Sequence, residues 1–504
     1  MLTLEKPRPG KAHGTRLAAV TPAAGAATPS ADPEGTGPFA PRKREWERSV
    51  GGRAAAKLRI HARLEGWPSR LHVDPGELPA DDRAFLLRVA RDTWRGLAAL
   101  RDRENGLPID HVYFGDDSLD PARAEIGDYT SITNVGLYVV SIVAAHELGF
   151  IDREETIARV RAPLETVRDL EIWGGMYFNF YDTTTLERTS EFVSFVDSAW
   201  LTAGAMVVRT AFPELTAEVS ERIRHRNHRF FYDSERGVMS HGYYVDSKVV
   251  SPYHYGLLYT EARIGSLIAI GKGDVPEEHW YQLARAPRLE RPGDDREPLG
   301  SGAKRLANGH HLVGGWYEWR GLRYVPSWGG SMFEALLPTL FVDEKRLAPR
   351  SLGRNGEAYV ELQRRFAQED LGYPVWGMSP SATPGPYRGF YAEHGVPALG
   401  VGGYQGSAVT PHASALALPF APEAATANLR RLAERYPIYG DFGFYDAVDP
   451  RSGRVAPIYL TLNQAMLFVA LANHLRDGAI QKLFAADPIA RRALPLLPAE
   501  DFFD

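Results

Sequence analysis

About a dozen amphipathic helical segments follow one another along this chain, and this succession restricts the fold more than any other feature. In the clearest of them, residues 81–100, apolar side chains recur every three or four residues and two aspartates stand at the start. Helices are also predicted at 131–148, 153–170, 196–212, 215–231, 257–270, 277–285, 331–341, 354–368, 407–419, 423–435, 459–476 and 485–494. Without alternating strands or a short repeat, the pattern predicts an all-α fold in which helical hairpins close into a barrel.

Two other regions differ in composition. Residues 310–326 show strand-like alternation, which predicts one small β element. Residues 1–40 are rich in Ala, Pro, Gly and Thr, so they are expected to be disordered. The remaining residues, 41–504, are expected to form one domain, with a basic helix on its outside within residues 42–67.

Charge and composition exclude several classes of protein. The formal net charge of −5 offers no electrostatic attraction to nucleic acid, and the absence of cysteine excludes disulfides and thiol chemistry. No apolar run reaches the ~18 residues of a membrane span, and no continuous apolar signal sequence is present. We therefore expect no membrane span and favour the cytoplasm over secretion. The histidines follow no zinc-ligand spacing, so no metal and no cofactor are predicted.

One carboxylate stands where a helix normally buries an apolar side chain. Glu261 lies four residues after Leu257, three before Ile264 and seven before Ile268, a spacing that places all four on one helix face. An ionised carboxylate is costly in such a place unless it is paired. Glu261 is therefore either a paired structural residue or a cleft residue whose raised pKa serves chemistry.

Aromatic residues make up 11% of the chain, and many stand in loops beside glycine. Such rings can stack on sugar faces, although burial in a large core accounts for aromatics equally well. The candidate sugar platforms are Trp173, Tyr181, Trp200, Tyr255, Trp328, Trp376 and Tyr445.

Nine segments taken in order resemble the glucoamylase-like (glycoamylase) domain family of bacteria. They include YDTTTLERTSEFVSFVDSAWLTAGAM, YTEARIGSLIAIGKGDVPEEHW, WGGSMFEALLPTLF and FGFYDAVDP, and they cover about residues 81–480. That family includes endo-β-1,2-glucanases and the transglycosylating domain of cyclic β-1,2-glucan synthases. The resemblance implies an α/α toroid of six helical hairpins that acts on β-glucan by an inverting mechanism.

Inverting hydrolysis needs a protonated carboxyl as acid and an ionised one as base, usually ~6.5–9.5 Å apart. Glu261 is the first candidate for the acid, because apolar surroundings raise a carboxyl pKa and because the resemblance points to the same residue. Glu334 is the rival, but it stands three residues after Ser331 in the spacing of a capping box. Asp446 is the candidate base, in a loop expected to be open to solvent, whereas Asp449 suits a turn.

Two further acids, Asp182 and Asp197, stand beside aromatic residues and could bind sugar hydroxyls. Each could equally cap a helix or form an Asx turn, although the resemblance favours a cleft position for Asp197. The sequence thus predicts an inverting glycoside hydrolase on a β-linked glucan, with β-1,2-glucan favoured and an oligo- or polysaccharide as substrate. A β-glucan transglycosylase and a non-catalytic carbohydrate-binding toroid stay open as alternatives, and so does the oligomeric state.

Overall fold

A computed structural model of the chain describes residues 57, 60–67, 76–114, 123–288, 296–300, 305–385, 391–404, 406 and 408–504. The segment predicted to be disordered, 1–40, lies outside the described residues, as does most of the helix predicted within 42–67. Of that helix, the structure describes one turn at Ile60–Arg63.

Helices form most of the regular structure in these residues. They are α1 (Ile60–Arg63), α2 (Asp82–Ala99), α3 (Ile132–Glu147), α4 (Arg153–Arg168), α5 (Phe195–Ala211), α6 (Thr216–His225), α7 (Arg263–Lys272), α8 (Glu278–Gln282), α9 (Met332–Leu336), α10 (Glu344–Leu347), α11 (Leu352–Arg365), α12 (Pro411–Leu416), α13 (Pro422–Arg435), α14 (Thr461–Leu475), α15 (Ala479–Ala486) and α16 (Pro488–Ala493). Single 3-10 turns occupy Pro213–Leu215, His228–Phe231, Leu337–Leu340, Pro397–Leu399 and Leu494–Ala499, and a π turn occupies Phe366–Asp370. The prediction of a helical fold is confirmed.

The β structure is small but more widespread than the one element predicted at 310–326. Three sheets have three antiparallel strands: Glu125–Ile126, His111–Tyr113 and Ile458–Leu460; Val249–Val250, Gly242–Tyr244 and Phe192–Ser194; His254–Tyr255, Val238–Ser240 and Tyr232–Asp233. The two-stranded pairs are Leu306–Ala307 with His310–His311, Tyr317–Trp319 with Leu322–Tyr324, Ser381–Ala382 with Tyr391–Ala392, Tyr439–Gly440 with Gly443–Phe444, Ala447–Val448 with Val455–Ala456, Tyr129–Ser131 with Phe180–Asp182, and Ile172–Trp173 with Met176–Tyr177. Strands of two or three residues are too short to show a period in the sequence, so only the longest hairpin was predicted.

Helices α3, α5 and α14 are apolar on nearly every side, and they lie at the centre of the core. Where α3 crosses α5, Gly136 faces Gly204. A Cβ atom on Gly204 would lie 2.5 Å from the carbonyl oxygen of Gly136, so no larger residue fits there without moving the helices. The two backbones therefore pack directly on each other.

The inner helices pack on one another in sequence. Helix α3 contacts α5, α5 contacts α7, α9 contacts α12, α12 contacts α14, and α14 returns to α3. Between α7 and α9 the connection is Arg263, which donates a hydrogen bond of 2.6 Å to the carbonyl of Ala335 and pairs with Glu344. Helices α2, α4, α6, α8, α11 and α13 each pack against one or more of these six and have an exposed face, so they form the outer set. From α2 to α14, apart from the short helix α10, outer and inner helices alternate along the described chain.

Helix α4 shows how local sequence sets a boundary. Its N-cap is Asp152, an exposed residue whose carboxylate accepts a hydrogen bond of 2.9 Å from the backbone N–H of Glu155. We expect Asp152→Ala to lower the free energy of unfolding by about 1 kcal/mol, because that N–H loses its acceptor. Urea unfolding measures the change, and Asp152→Asn, which can still accept the bond, should restore most of it. Equal stability of the alanine and asparagine variants would contradict the capping role.

Candidate active site

The first turns of the inner helices lie together at one end of the helical core. Strand Tyr129–Ser131 runs directly into α3, where Thr133 donates a hydrogen bond of 2.6 Å to Asp197 in the first turn of α5. Arg263 at the start of α7 donates one of 3.3 Å to the Glu334 carbonyl in the first turn of α9. Acidic side chains from separate helices are thereby brought together. This end of the molecule is the candidate active site.

Glu261 lies at this end, but the prediction that it sits within a helix is wrong. Helix α7 begins at Arg263, and Glu261 occupies the turn before it, because Leu257 is held by a bridge to Ala284 and the chain is not yet helical there. Burial of the carboxyl raises the pKa of Glu261 to about 8, and the neighbouring carboxylate of Glu334 acts in the same direction. Glu261 is therefore protonated at neutral pH.

Glu334 forms the capping box that its spacing predicts. The Ser331 hydroxyl accepts from the Glu334 N–H at 3.3 Å, and the carboxylate accepts from the Ser331 N–H. It also accepts from the Ser327 hydroxyl at 2.7 Å and from the Gly329 N–H at 2.9 Å. Burial raises the pKa of Glu334, and these donors oppose that effect. Hydrogen-bond donors stabilise the charged form of a carboxyl group, and a negative charge on Glu334 raises the pKa of Glu261.

Asp446 is not the solvent-open loop residue that the sequence predicts. Only 1% of it is exposed. Its carboxylate accepts hydrogen bonds from the Ala382 N–H at 2.6 Å and from the Asn463 amide, in the first turn of α14, at 2.7 Å. Burial raises the pKa of Asp446 to about 6, while these donors and the charge of His111 act against the rise. Asp446 is thus ionised at neutral pH although it is buried.

Asp449 has the turn role that the sequence favours. It is partly exposed, and its carboxylate accepts from the backbone N–H of Arg451 at 3.0 Å and from the hydroxyl of Ser452 at 2.6 Å. Both partners belong to the hairpin turn between Ala447–Val448 and Val455–Ala456. Asp449 therefore shapes this turn, three residues from Asp446.

The two other predicted acids differ in setting. Asp182 is buried, accepts from the backbone N–H groups of Thr184 and Thr185 at 2.9 and 2.7 Å, and pairs with Lys57, so it forms an Asx turn. Asp197 is not the N-cap of α5, because Ser194 occupies that position.

Asp197 instead projects from the first turn of α5 into the candidate site. Burial raises the pKa of Asp197, opposed by hydrogen bonds with Ser194 and Thr133. Its charge in turn raises the pKa values of Glu261 and of Tyr255, which places all three side chains close together.

Four of the seven predicted sugar platforms are core residues, which corrects the sequence analysis. Their exposed fractions are 1% or less, because their rings pack between helices or beneath strands, and they cannot contact a ligand in this structure. They are Tyr181, Trp200, Trp376 and Tyr445.

The other three rings are accessible. Trp328 is 50% exposed and directly precedes Gly329, which binds the Glu334 carboxylate. Tyr255 is partly buried beside Glu261, and Trp173 is partly buried and stacked on Tyr243, with ring centroids 4.5 Å apart.

The structure adds residues that the sequence analysis missed. Burial raises the pKa of Tyr391 well above its usual value, and the charges of Asp446, Glu393, Asp110 and Glu261 act in the same direction. Glu393 is exposed, in the short segment that also carries Tyr391. These residues stand in no helix and show no period. The only signal was the pairing of acidic with aromatic residues in YAEH.

A second tyrosine near the acids was also missed. Burial raises the pKa of the Tyr404 phenol above its usual value, and the charges of Glu334, Glu393 and Glu261 act in the same direction. Its ring lies against Gly329, where a Cβ atom would overlap it. Glycine at this position lets the ring approach the acids.

No group of three or more acidic or histidine side chains in the described residues has an arrangement that could hold a metal ion. Nor does any helix in this part of the chain have the length and apolar character needed to cross a membrane. The absence of a required metal stays a prediction.

That prediction has a direct test. We expect the predicted glucan hydrolysis to survive exhaustive dialysis against EDTA, because N–H, O–H and amide donors already hold the carboxyl groups of the site. Product release before and after chelation measures it, with a buffer-dialysed sample as control. Loss of activity that calcium or zinc restores would contradict the prediction.

The comparison with known families supports the resemblance that the motifs indicate. Residues 307–488 match the family model described as Glycoamylase, so the chain carries a glycoamylase-like domain there. The chain is 27% identical to a cyclic β-(1,2)-glucan synthase of Rhizobium meliloti over 82% of its own length and 18% of that protein. It is 23% identical to an exo β-1,2-glucooligosaccharide sophorohydrolase of Parabacteroides distasonis over 71% of its own length and 52% of that protein.

The fold is also found among solved structures. An endo-β-1,2-glucanase from Chitinophaga pinensis, solved with sophorotriose and glucose, superposes with a TM-score of 0.65 at 17% identity, covering 83% of this chain and 99% of that one. At this identity the likeness shows a shared fold. The chain covers only 18% of the length of the synthase and 52% of the length of the sophorohydrolase. The activities of those whole proteins therefore apply to this chain only as proposals.

Proposed function

We propose that this chain is an inverting glycoside hydrolase that cleaves β-1,2-linked glucan. One observation carries the proposal: two carboxyl groups at the same end of the helical core have pKa values of about 8 and about 6, at Glu261 and Asp446. Between those values one is protonated and the other ionised, which is the state that acid–base hydrolysis requires. The relatives named above include a β-1,2-glucan synthase and a sophorohydrolase, which supports the choice of linkage.

In the proposed reaction Glu261 donates its proton to the glycosidic oxygen as the bond from that oxygen to the anomeric carbon breaks. Asp446 accepts a proton from a water molecule, whose oxygen forms the new bond to the anomeric carbon from the opposite face. The products are two shorter sugars with an inverted anomeric centre, and one water is consumed. After the reaction Glu261 is ionised and Asp446 is protonated, and exchange of protons with solvent restores the starting state of both.

The assignment of the acid to Glu261 in preference to Glu334 rests on hydrogen bonding. The Glu334 carboxylate accepts from Ser327, Gly329 and Ser331, and each of these donors stabilises the charged form. An acid must instead carry a proton. In this proposal Glu334 supplies the negative charge that keeps Glu261 protonated.

The substrate would lie across the first turns of the inner helices. Of the predicted platforms, we assign Trp328 and Tyr255 to sugar rings nearest the acids and Trp173 to a more distant unit, with Asp197 accepting from sugar hydroxyls. Asp182 would orient the neighbouring loop. The inner and outer helices, which alternate and return from α14 to α3, support an α/α toroid of six hairpins around this cleft.

Transglycosylation is the second candidate, because the chain matches a cyclic β-(1,2)-glucan synthase over 82% of its length. In that reaction a sugar hydroxyl would replace water as acceptor. A purely carbohydrate-binding protein would not need two carboxyl groups with opposed pKa values.

Incubation with linear β-1,2-, β-1,3-, β-1,4- and β-1,6-glucans, followed by chromatography and proton NMR of the first products, tests the proposal. We expect shorter β-1,2-oligosaccharides whose new reducing ends are first formed as the α-anomer. New β-anomers would exclude inversion, longer products would favour transglycosylation, and binding without turnover would favour the non-catalytic alternative.

A further inference from the structure

A cluster of buried polar side chains lies under the cleft and has no role in the reaction as proposed so far. Asp110 is 4% exposed. Its carboxylate accepts a hydrogen bond of 3.0 Å from the amide of Asn134 in the first turn of α3, and it lies 2.9 Å from Nδ1 of His111. Burial alone would raise the pKa of Asp110, but the bonds from His111 and Asn134 hold it below its usual value. Asp110 is therefore a stable buried anion.

This anion fixes the orientation of the His111 ring. Nδ1 is committed to Asp110, and the ring packs edge-on against Tyr129, with centroids 6.0 Å apart. On the other side the backbone of Gly127 touches the imidazole, and a Cβ atom there would lie 2.5 Å from Nδ1. Of the two ring nitrogens, Nε2 is the one left for other partners.

The cluster and Asp446 are anchored on the same helical turn. The backbone N–H of Thr461, the first residue of α14, donates to the Asp110 carbonyl at 2.9 Å. Two residues later Asn463 donates its amide to the Asp446 carboxylate. His111 itself lies opposite Leu460, the residue directly before α14, in the paired strands. Its charge counteracts the effect of burial on the pKa of Asp446.

We propose that His111, oriented by Asp110, is a positioning residue for the base: a positive charge on its imidazole stabilises the ionised carboxylate of the buried Asp446. The inference rests on the proposed function, in which Asp446 must be ionised to accept a proton. Burial disfavours the charged form of a carboxyl group, and a nearby positive charge favours it. The paired Asp110 and His111 thereby widen the pH range in which the base works.

Other titratable groups lie near His111 and Asp446 and also affect how the reaction rate depends on pH. Those near His111, Asp446 or their partners are Asp110, Glu125, Tyr129 and Tyr391, with Glu261 and Glu393 beyond Tyr391. Of these, Asp110, Glu125, Glu261 and Glu393 are carboxyl groups, so the surroundings of His111 and Asp446 are strongly acidic.

The test replaces the imidazole by an amide that keeps the bond to Asp110. In His111→Asn the side-chain NH₂ can occupy the place of Nδ1, but the positive charge is lost. We expect the acidic limb of kcat/KM to move to higher pH by on the order of 0.5–1 unit, with KM almost unchanged. His474→Asn, at the exposed opposite end of α14, is the control and should leave the limb in place.

A second measurement does not depend on turnover. The ¹³C signal of the Asp446 carboxyl, identified by its loss in Asp446→Asn, should titrate near pH 6 in the wild type and at higher pH in His111→Asn. If wild type cleaves no glucan, the proposed function fails while this titration still decides the role of His111. An unmoved titration in a folded variant overturns the role of His111, whether or not glucan is cleaved. Should His111→Asn not fold, His111→Gln, which places its amide near Nε2, is measured in the same way.

Discussion

Glu261→Gln is expected to lower kcat by ~10²–10⁴-fold, the usual loss for one general acid. The wild-type rate should fall as pH decreases through about 6, where Asp446 gains a proton, and as pH increases through about 8, where Glu261 loses one. With glutamine at position 261 the residual rate should lose the limb near pH 8. Initial rates on β-1,2-glucan from pH 4 to 10 measure both effects.

Glu261→Gln is expected to lower activity but to keep or raise thermal stability. The folded-state pKa of Glu261 lies above its usual value, so the folded protein binds this proton more tightly than the unfolded chain does. Stability is therefore lost as pH rises from about 4.5 through about 8, and glutamine, which cannot ionise, avoids that loss. We expect the Tm of Glu261→Gln at pH 7 to equal or exceed that of the wild type.

Glu334→Gln is the matched comparison for that experiment. It keeps the length of the side chain but presents an NH₂ group to donors from Ser327, Gly329 and Ser331, so it should lower the Tm. If a folded Glu261→Gln protein turns over at the wild-type rate, Glu261 is not the acid and the role passes to Glu334.

The sequence predicted the helical fold because amphipathic helices leave a period in the pattern of apolar residues, and Ser331 with Glu334 left the spacing of a capping box. It misplaced Glu261, because a turn followed by an apolar helix has the same local pattern as the helix itself. The turn is set by contacts made far along the chain, such as the bridge from Leu257 to Ala284.

Burial of individual side chains was the other gap. Trp200 and Trp328 were both predicted to be sugar platforms, yet one is 1% and the other 50% exposed, and this difference depends on tertiary contacts that leave no local pattern. Asp446 likewise looked solvent-open from its turn-forming neighbours, although Ala382 and Asn463 enclose it from distant parts of the chain. Asp110 and Tyr391 were missed because only the folded chain brings them beside the acids.

Asp446→Asn is expected to abolish most activity, while Asp449→Asn should leave it nearly unchanged. An amide at position 446 cannot take a proton from water, and an inverting enzyme has no second group for that step. Asp449 only accepts bonds from Arg451 and Ser452 in its turn, so its amide variant should cost about 1 kcal/mol of stability instead. Kinetics on β-1,2-glucan and melting curves of both variants show which of the two residues serves catalysis and which serves stability.

We expect Asp446→Asn to stay folded because Asn463 can adjust to the new amide. The activity of Asp446→Asn can therefore be compared directly with that of Asp449→Asn. The amide oxygen of Asn463 has no hydrogen-bond partner among the described residues, so a flipped Asn463 could accept from the new NH₂ group while the Ala382 N–H keeps an oxygen acceptor. In the smaller Asp446→Ala variant, azide could enter the vacated space and attack the anomeric carbon without a base, so partial recovery of turnover with azide is expected. If Asp449→Asn proves to be the inactive, well-folded variant and Asp446→Asn stays active, Asp446 is not the base, and the acids around Tyr391 become the next candidates.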